Sequence, residues 1–146
     1  MNIAQMLQHK GSEVFTIAAE KSVLECAQLM NRKHIGALVV VSKKGDIAGI
    51  VTERDILNTL PDKSDSIGSL LVKDIMTHKE RLITGTPNDP VPKVMEVMTR
   101  NRVRHLPITD DNNDLVGLVS IGDVVKNRLD AVVVENESMR NYISGY

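Results

Sequence analysis

Tryptophan is missing altogether, and one phenylalanine and two tyrosines bring the aromatic share to only 2%. So few aromatic rings nearly exclude a stacking platform for single-stranded bases. The lone cysteine, Cys26, cannot close an internal disulfide, which fits a reducing compartment and a thiol packed as a small apolar group in a helix. Neither sign of charge dominates: 18 Lys and Arg against 19 Asp and Glu leave a net charge of −1. That balance gives no electrostatic argument for DNA, RNA or an anionic membrane as partner. No run of about 18 apolar residues occurs, nor a basic start followed by an apolar stretch, so a cytoplasmic protein is expected.

What is present is ordinary in bulk, with 42% hydrophobic and 25% charged residues in a chain of 146. That length suits one domain, whose halves are each near the lower limit for burying a core alone. The order of the residues is less ordinary. Gly49-Ile50-Val51-Thr52-Glu53-Arg54-Asp55 falls on Gly117-Leu118-Val119-Ser120-Ile121-Gly122-Asp123 at an offset of 68 positions. At the same offset Thr16 meets Thr84, Val23 meets Val91, Met30 meets Met98, Leu38 meets Leu106 and Asp46 meets Asp114. One unit therefore occurs twice, and any ligand site is expected as a related pair.

Each copy reads as β-α-β-β-α. In the first, Val14–Ile17 is β-like, Ser22-Val23-Leu24-Glu25 fits a capping box, Ala37–Ser42 and Ile47–Val51 are strands, and a helix over Glu53–Leu60 is stopped by Pro61. Asn2–His9 precedes it as a short amphipathic helix ended by Gly11, and Asp62–Ser69 reads as a polar linker. In the second, Arg81–Thr84 is a strand, Asp89 caps a helix with Pro90 at its first position, and His105–Thr109 and Leu115–Ser120 are strands. From Ile121 a helical pattern runs on through Val124, Val125, Leu129, Val132 and Val133 toward Met139, Tyr142 and Ile143. It either packs back on its own domain or forms a subunit contact. The fold class is α/β (α+β), with helices covering small sheets.

Thr52-x-x-Asp55 and Ser120-x-x-Asp123 each place a hydroxyl and an acid at a strand-to-helix junction, the pattern of a simple helix cap. Recurrence in register, each time after Gly and two apolar residues, suggests more. A helix N-terminus suits an anion, and a carboxylate beside it can accept from the hydroxyls of a ribose. Gly49 and Gly117 would let a flat ring approach the backbone.

These features, with the Val72-Lys73-Asp74-Ile75-Met76-Thr77 lead-in and the Arg104-His105-Leu106-Pro107-Ile108 strand entry, resemble a tandem pair of CBS (cystathionine-β-synthase) domains, a stand-alone bacterial-type Bateman module. The resemblance spans nearly the whole chain. It implies two repeats, about 1–63 and 70–128, packed through their sheets with pseudo-two-fold symmetry, and a helical extension over about 129–146. It also implies two clefts that take AMP, NAD or NADH, ATP or S-adenosylmethionine. Asp55 and Asp123 would then hold ribose, and Thr52 and Ser120 would face phosphate. Backbone around Thr16-Ile17-Ala18 and Thr84-Gly85-Thr86 would meet the adenine edge. Arg54 is either a second phosphate ligand or a solvated helix residue. Arg102, Arg104 and His105 align with His34, Gly36 and Ala37, which makes the sites unequal; Arg104 is the favoured ligand, and Arg102 and His105 are either ligands or structural, solvent-facing residues.

No enzyme is expected. His9, His34, His78, His105 and Cys26 show no metal-ligand spacing, and no nucleophile motif is present. AMP is the preferred ligand of a sensor that acts as a homodimer, or through a protein target not named by the sequence. The other reading is a constitutive interaction scaffold with vestigial clefts.

Overall fold

The computed structural model describes residues 1–144. Its order is α1 (Ile3–Lys10), β1 (Thr16–Ala18), α2 (Val23–Lys33), β2 (Ala37–Val41), β3 (Ile47–Thr52), α3 (Glu53–Lys63), α4 (Val72–Ile75), β4 (Thr77–His78), α5 (Val91–Asn101), β5 (His105–Thr109), β6 (Leu115–Ser120) and α6 (Ile121–Ile143). One sheet runs β1-β2-β3-β4, with β1 parallel to β2 and the other pairs antiparallel; β5 and β6 form the other as a hairpin.

The apolar runs foreseen for β2, β3, β5 and β6 become strands because both their faces are covered: Leu38, Val39, Val40, Val51, Leu106, Ile108 and Val119 are buried. Four sequence expectations change. Residues 81–84 form no strand; Arg81 closes a 3-10 turn over Lys79–Arg81, and only Gly85 bridges to Ile108. Pro61 does not stop α3, which runs to Lys63. In the last turn a proline forfeits one hydrogen bond, to the carbonyl four residues back, and little else. The linker is not loose, since Ser64–Ser69 is a 3-10 helix packed on α2 and α3. Pro90, not Asp89, is the N-cap of α5, and Asp89 turns back to accept from the Thr86 N–H at 2.9 Å.

The halves are not independent. α1 lies in the second core, where Ile3, Met6 and Leu7 cluster with Val91, Val94, Met98, Leu106, Ile108, Val119 and Val124. Val72, from the start of the second half, lies in the first core with Ile17, Cys26, Met30, Leu38, Val40 and Val51. The backbone repeats this exchange. Ile3 and Ala4 donate to the carbonyls of Asp89 and Pro87, while Val72 and Lys73 donate to those of Lys21 and Ala19. The acceptors differ by the offset of 68, so each half reaches its leading segment across to the other, related by a pseudo-two-fold axis.

Candidate functional site

Both repeated motifs close the same way. Asp55 Oδ2 accepts from the Thr52 N–H at 2.8 Å and from the Thr52 hydroxyl at 3.1 Å, and Thr52 Oγ1 accepts from the Asp55 N–H at 3.3 Å. Asp123 Oδ2 accepts from the Ser120 N–H at 2.8 Å, and Ser120 Oγ accepts from the Asp123 N–H at 3.2 Å. Each carboxylate is half-buried at a helix N-terminus, with one oxygen, Oδ2, engaged by the cap. Facing each cap is the end of a helix from the other half: Arg102 lies by Thr52–Asp55 and His34 by Ser120, both left-handed with φ of 54°. Non-glycine residues rarely hold that conformation, and where they do the surrounding structure imposes it.

Two related clefts open between the halves. The first, of about 580 Å³, is lined by Thr52, Glu53, Arg54 and Asp55 from the first half and by Thr77, Arg81, Leu82, Ile83, Arg102, Val103, Arg104 and His105 from the second. The other, of about 470 Å³, is lined by Lys10, Gly11, Glu13, Val14, Phe15, His34, Ile35, Gly36 and Ala37 together with His105, Leu118 and Ser120. Shifting the second list by 68 largely reproduces the first. Each cleft thus joins the cap of one half to the strand entry of the other.

That crossing changes how the candidate residues group. Thr52, Arg54, Asp55, Arg104 and His105 come together in the first cleft. Ser120 lines the second, and Asp123 stands behind it, held by Lys10 Nζ at 2.6 Å. Arg102 and Arg104 line the cleft that holds the cap of the other half, Thr52–Asp55. Thr16, Ile17, Ala18, Thr84 and Thr86 line neither cleft. Ile17 is buried in the first core and the Thr86 N–H is taken by Asp89; the walls are instead Val14-Phe15 and Leu82-Ile83, just before those segments. The glycines also have another task. A Cβ on Gly49 would lie 2.1 Å from the Thr77 carbonyl oxygen, and one on Gly117 2.8 Å from the Leu7 side chain. Both admit a crossing segment rather than a ligand ring. Arg81 and Lys10 were missed by sequence reasoning; the offset pairs Glu13 with Arg81, but only the fold shows which cap either meets.

Charge separates the clefts. Arg54, Arg81, Arg102 and Arg104 surround the first, and among the described residues none of them makes a salt bridge. Asp55 is likewise without a cationic partner there. Asp123 is held below the usual carboxylate range: burial pushes it up, but the hydrogen bond and charge of Lys10 and the Ser120 N–H outweigh that. His105, a wall of both clefts, has its pKa lowered, first by burial; Glu53 and Asp123 oppose the shift and Lys10 and Arg104 add to it. Guanidinium groups that lack a protein carboxylate are suited to bidentate bonds with a phosphate.

Residues 10–62 and 72–130 each match the CBS domain family. The CBS domain-containing protein CBSX3, mitochondrial, of Arabidopsis thaliana is 37% identical over 150 residues, covering 98% of this chain and 72% of that protein. A putative signal-transduction protein with CBS domains from Burkholderia ambifaria superposes with a TM-score of 0.81 at 38% identity, over 89% of this chain and 95% of that one. The CBS domain pair of protein MJ0100, in complex with 5′-methylthioadenosine and S-adenosyl-L-methionine, superposes with a TM-score of 0.74 at 25% identity, over 86% and 98% of the two chains. No helix among the described residues is long and apolar enough to cross a membrane.

Proposed function

The chain belongs to the CBS-domain family as a tandem pair of CBS repeats, and from that premise we propose that it is a non-catalytic regulatory module that senses an adenine nucleotide in the first cleft. The observation that carries this reading is the set of four arginines, unpaired among the described residues, around the Thr52–Asp55 cap. Asp55 would accept from the ribose hydroxyls, and Thr52 with Arg81, Arg102 and Arg104 would meet phosphate. A related protein pair holds 5′-methylthioadenosine and S-adenosyl-L-methionine, which supports an adenosine ligand. The arginines favour one that carries phosphate, AMP first, over a sulfonium. Gly36 and His105 line both clefts, so a dinucleotide such as NAD or NADH is the second reading, with ATP a third. The second cleft starts at a disadvantage because Lys10 already holds its acid. Ligand in the cleft would bias the packing of the halves, and any partner whose affinity this changes must change nucleotide affinity equally. A reducing compartment, the cytoplasm, is the setting we favour for the single thiol.

The test is a thermal-shift panel with AMP, ADP, ATP, NAD, NADH and S-adenosylmethionine. A compound at 100 times its Kd stabilises by about 2.7 kcal/mol. The shift is expected with a phosphate-bearing compound, to vanish in Asp55→Ala and to persist in Asp123→Ala. Loss in Asp123→Ala alone would move the ligand to the other cleft. No shift with any compound would favour the scaffold reading.

A further inference from the structure

α6 starts on the body and then leaves it. Val124 is buried and Asn127 and Ala131 are half-covered, but every residue from Val132 to Ser144 is exposed. A helix that projects alone is marginal in water, the more so with apolar residues along it. Leu129 is 60% exposed, Met139 61% and Ile143 78%.

These residues are not scattered. Val125, Leu129, Val132, Asn136, Met139 and Ile143 follow one another at alternating intervals of four and three. That alternation is the a/d seam of a coiled coil, with Leu129, Asn136 and Ile143 at a and Val125, Val132 and Met139 at d. By helix geometry the seam lies about 100° round from the Val124–Ala131 face that touches the body, so the body leaves it open. The one polar a position, Asn136, is the kind that fixes register and favours two strands when it meets its own copy. Beside the seam, Glu135 is at g and Arg140 at e, and neither makes an ion pair within its own chain among the described residues. In a parallel pair g of one helix meets the following e of the other. An antiparallel pair covering the whole seam would oppose Glu135 to its own copy and Asn136 to a valine.

We propose that the outer part of α6 joins two copies of this chain through a parallel two-stranded coiled coil, with Asn136 meeting Asn136 on the axis and Glu135 of each copy meeting Arg140 of the other. It is independent of what the clefts hold. A seam of about three heptads gives a concentration-dependent dimer rather than a permanent one.

Sedimentation of the full chain over a concentration series tests it. The mass is expected to rise from 16.1 kDa toward twice that value. Glu135→Arg or Arg140→Glu alone places like charges together twice per dimer and should raise the dimer Kd about tenfold. The double variant, with the charges exchanged, should return to within about twofold of the original. All these side chains are exposed, and unchanged circular dichroism would confirm folding. Asn136→Cys should form an intermolecular disulfide under mild oxidation, read cleanly because Cys26 is buried. A monomer at all concentrations overturns the proposal. So does a dimer indifferent to both charge reversals, or one that does not cross-link through position 136.

Discussion

At the scale of single residues, the two repeated glycines separate most clearly what spacing can and cannot say. Their recurrence is visible as a pattern, and the approach of a ligand ring is one cause the pattern allows. The neighbours found there are instead the Thr77 carbonyl and the Leu7 side chain. The difference between those neighbours predicts unequal costs. A backbone oxygen paired in a sheet cannot step aside, so Gly49→Ala should cost about 2–4 kcal/mol. A leucine can turn, so Gly117→Ala should cost about 1 kcal/mol. Urea unfolding of the two variants checks this, and equal losses would refute the distinction. The capping residues were fully legible, since Thr52 with Asp55 and Ser120 with Asp123 interact over three positions and need nothing distant. Arg81 was not legible as a site residue. Its place depends on a contact with the cap of the other half, which no local pattern encodes.

At the scale of elements, the strands and main helices could be read because burial on one or both faces writes itself into the apolar pattern. The failures lie where structure comes from elsewhere. Arg81–Thr84 has a strand's composition and β5 runs beside its end, but Pro107, at the position of Val39, has no N–H to give where Val39 donates to Phe15, so the pairing shrinks to the bridge at Gly85. α1 was legible as a short amphipathic helix, but nothing local says which core its apolar face joins, and Ile3 is fully buried in the second. Ile3→Ala should therefore cost about 3 kcal/mol, the range for a large aliphatic side chain truncated in a core. Because the α1 backbone is tied to Pro87 and Asp89, its amides should also exchange faster in that variant while those of β2 stay protected. Native-state hydrogen exchange distinguishes this from uniform weakening. A uniform loss across both cores would show that α1 is not a separately releasable element.

The molecule as a whole places His105 between its halves, and there proton uptake and stability are linked. The ordinary imidazole pKa is 6.5 and the folded value is lower. Above 6.5 neither state binds the proton and the group contributes nothing. As pH falls through 6.5 the unfolded chain takes up a proton that the native site resists, so stability declines and then levels off below the folded pKa. The urea midpoint should drop between pH 7.5 and 5.5, and the drop should shrink in His105→Gln. A slope unchanged by that substitution would assign it to other groups. Asp89 and Asp123 act in a separate, more acid window. Their folded values lie below 3.8, so their contribution is whole above that pH and is lost as pH falls through the folded values.

The reciprocal crossing of the leading segments also sets an order of events during synthesis. A chain emerging from the ribosome presents α1 ahead of both cores, with Ile3, Met6 and Leu7 on one face. The residues that will cover that face, from Val91 to Val124, follow much later. The first core can close once Val72 has appeared, while α1 waits for Val91–Val124 with its apolar side bare. Bringing it home then closes a long loop, from α1 to the second core, a step whose entropy cost grows only slowly with length but which comes late. The newborn protein is thus most exposed to aggregation along α1.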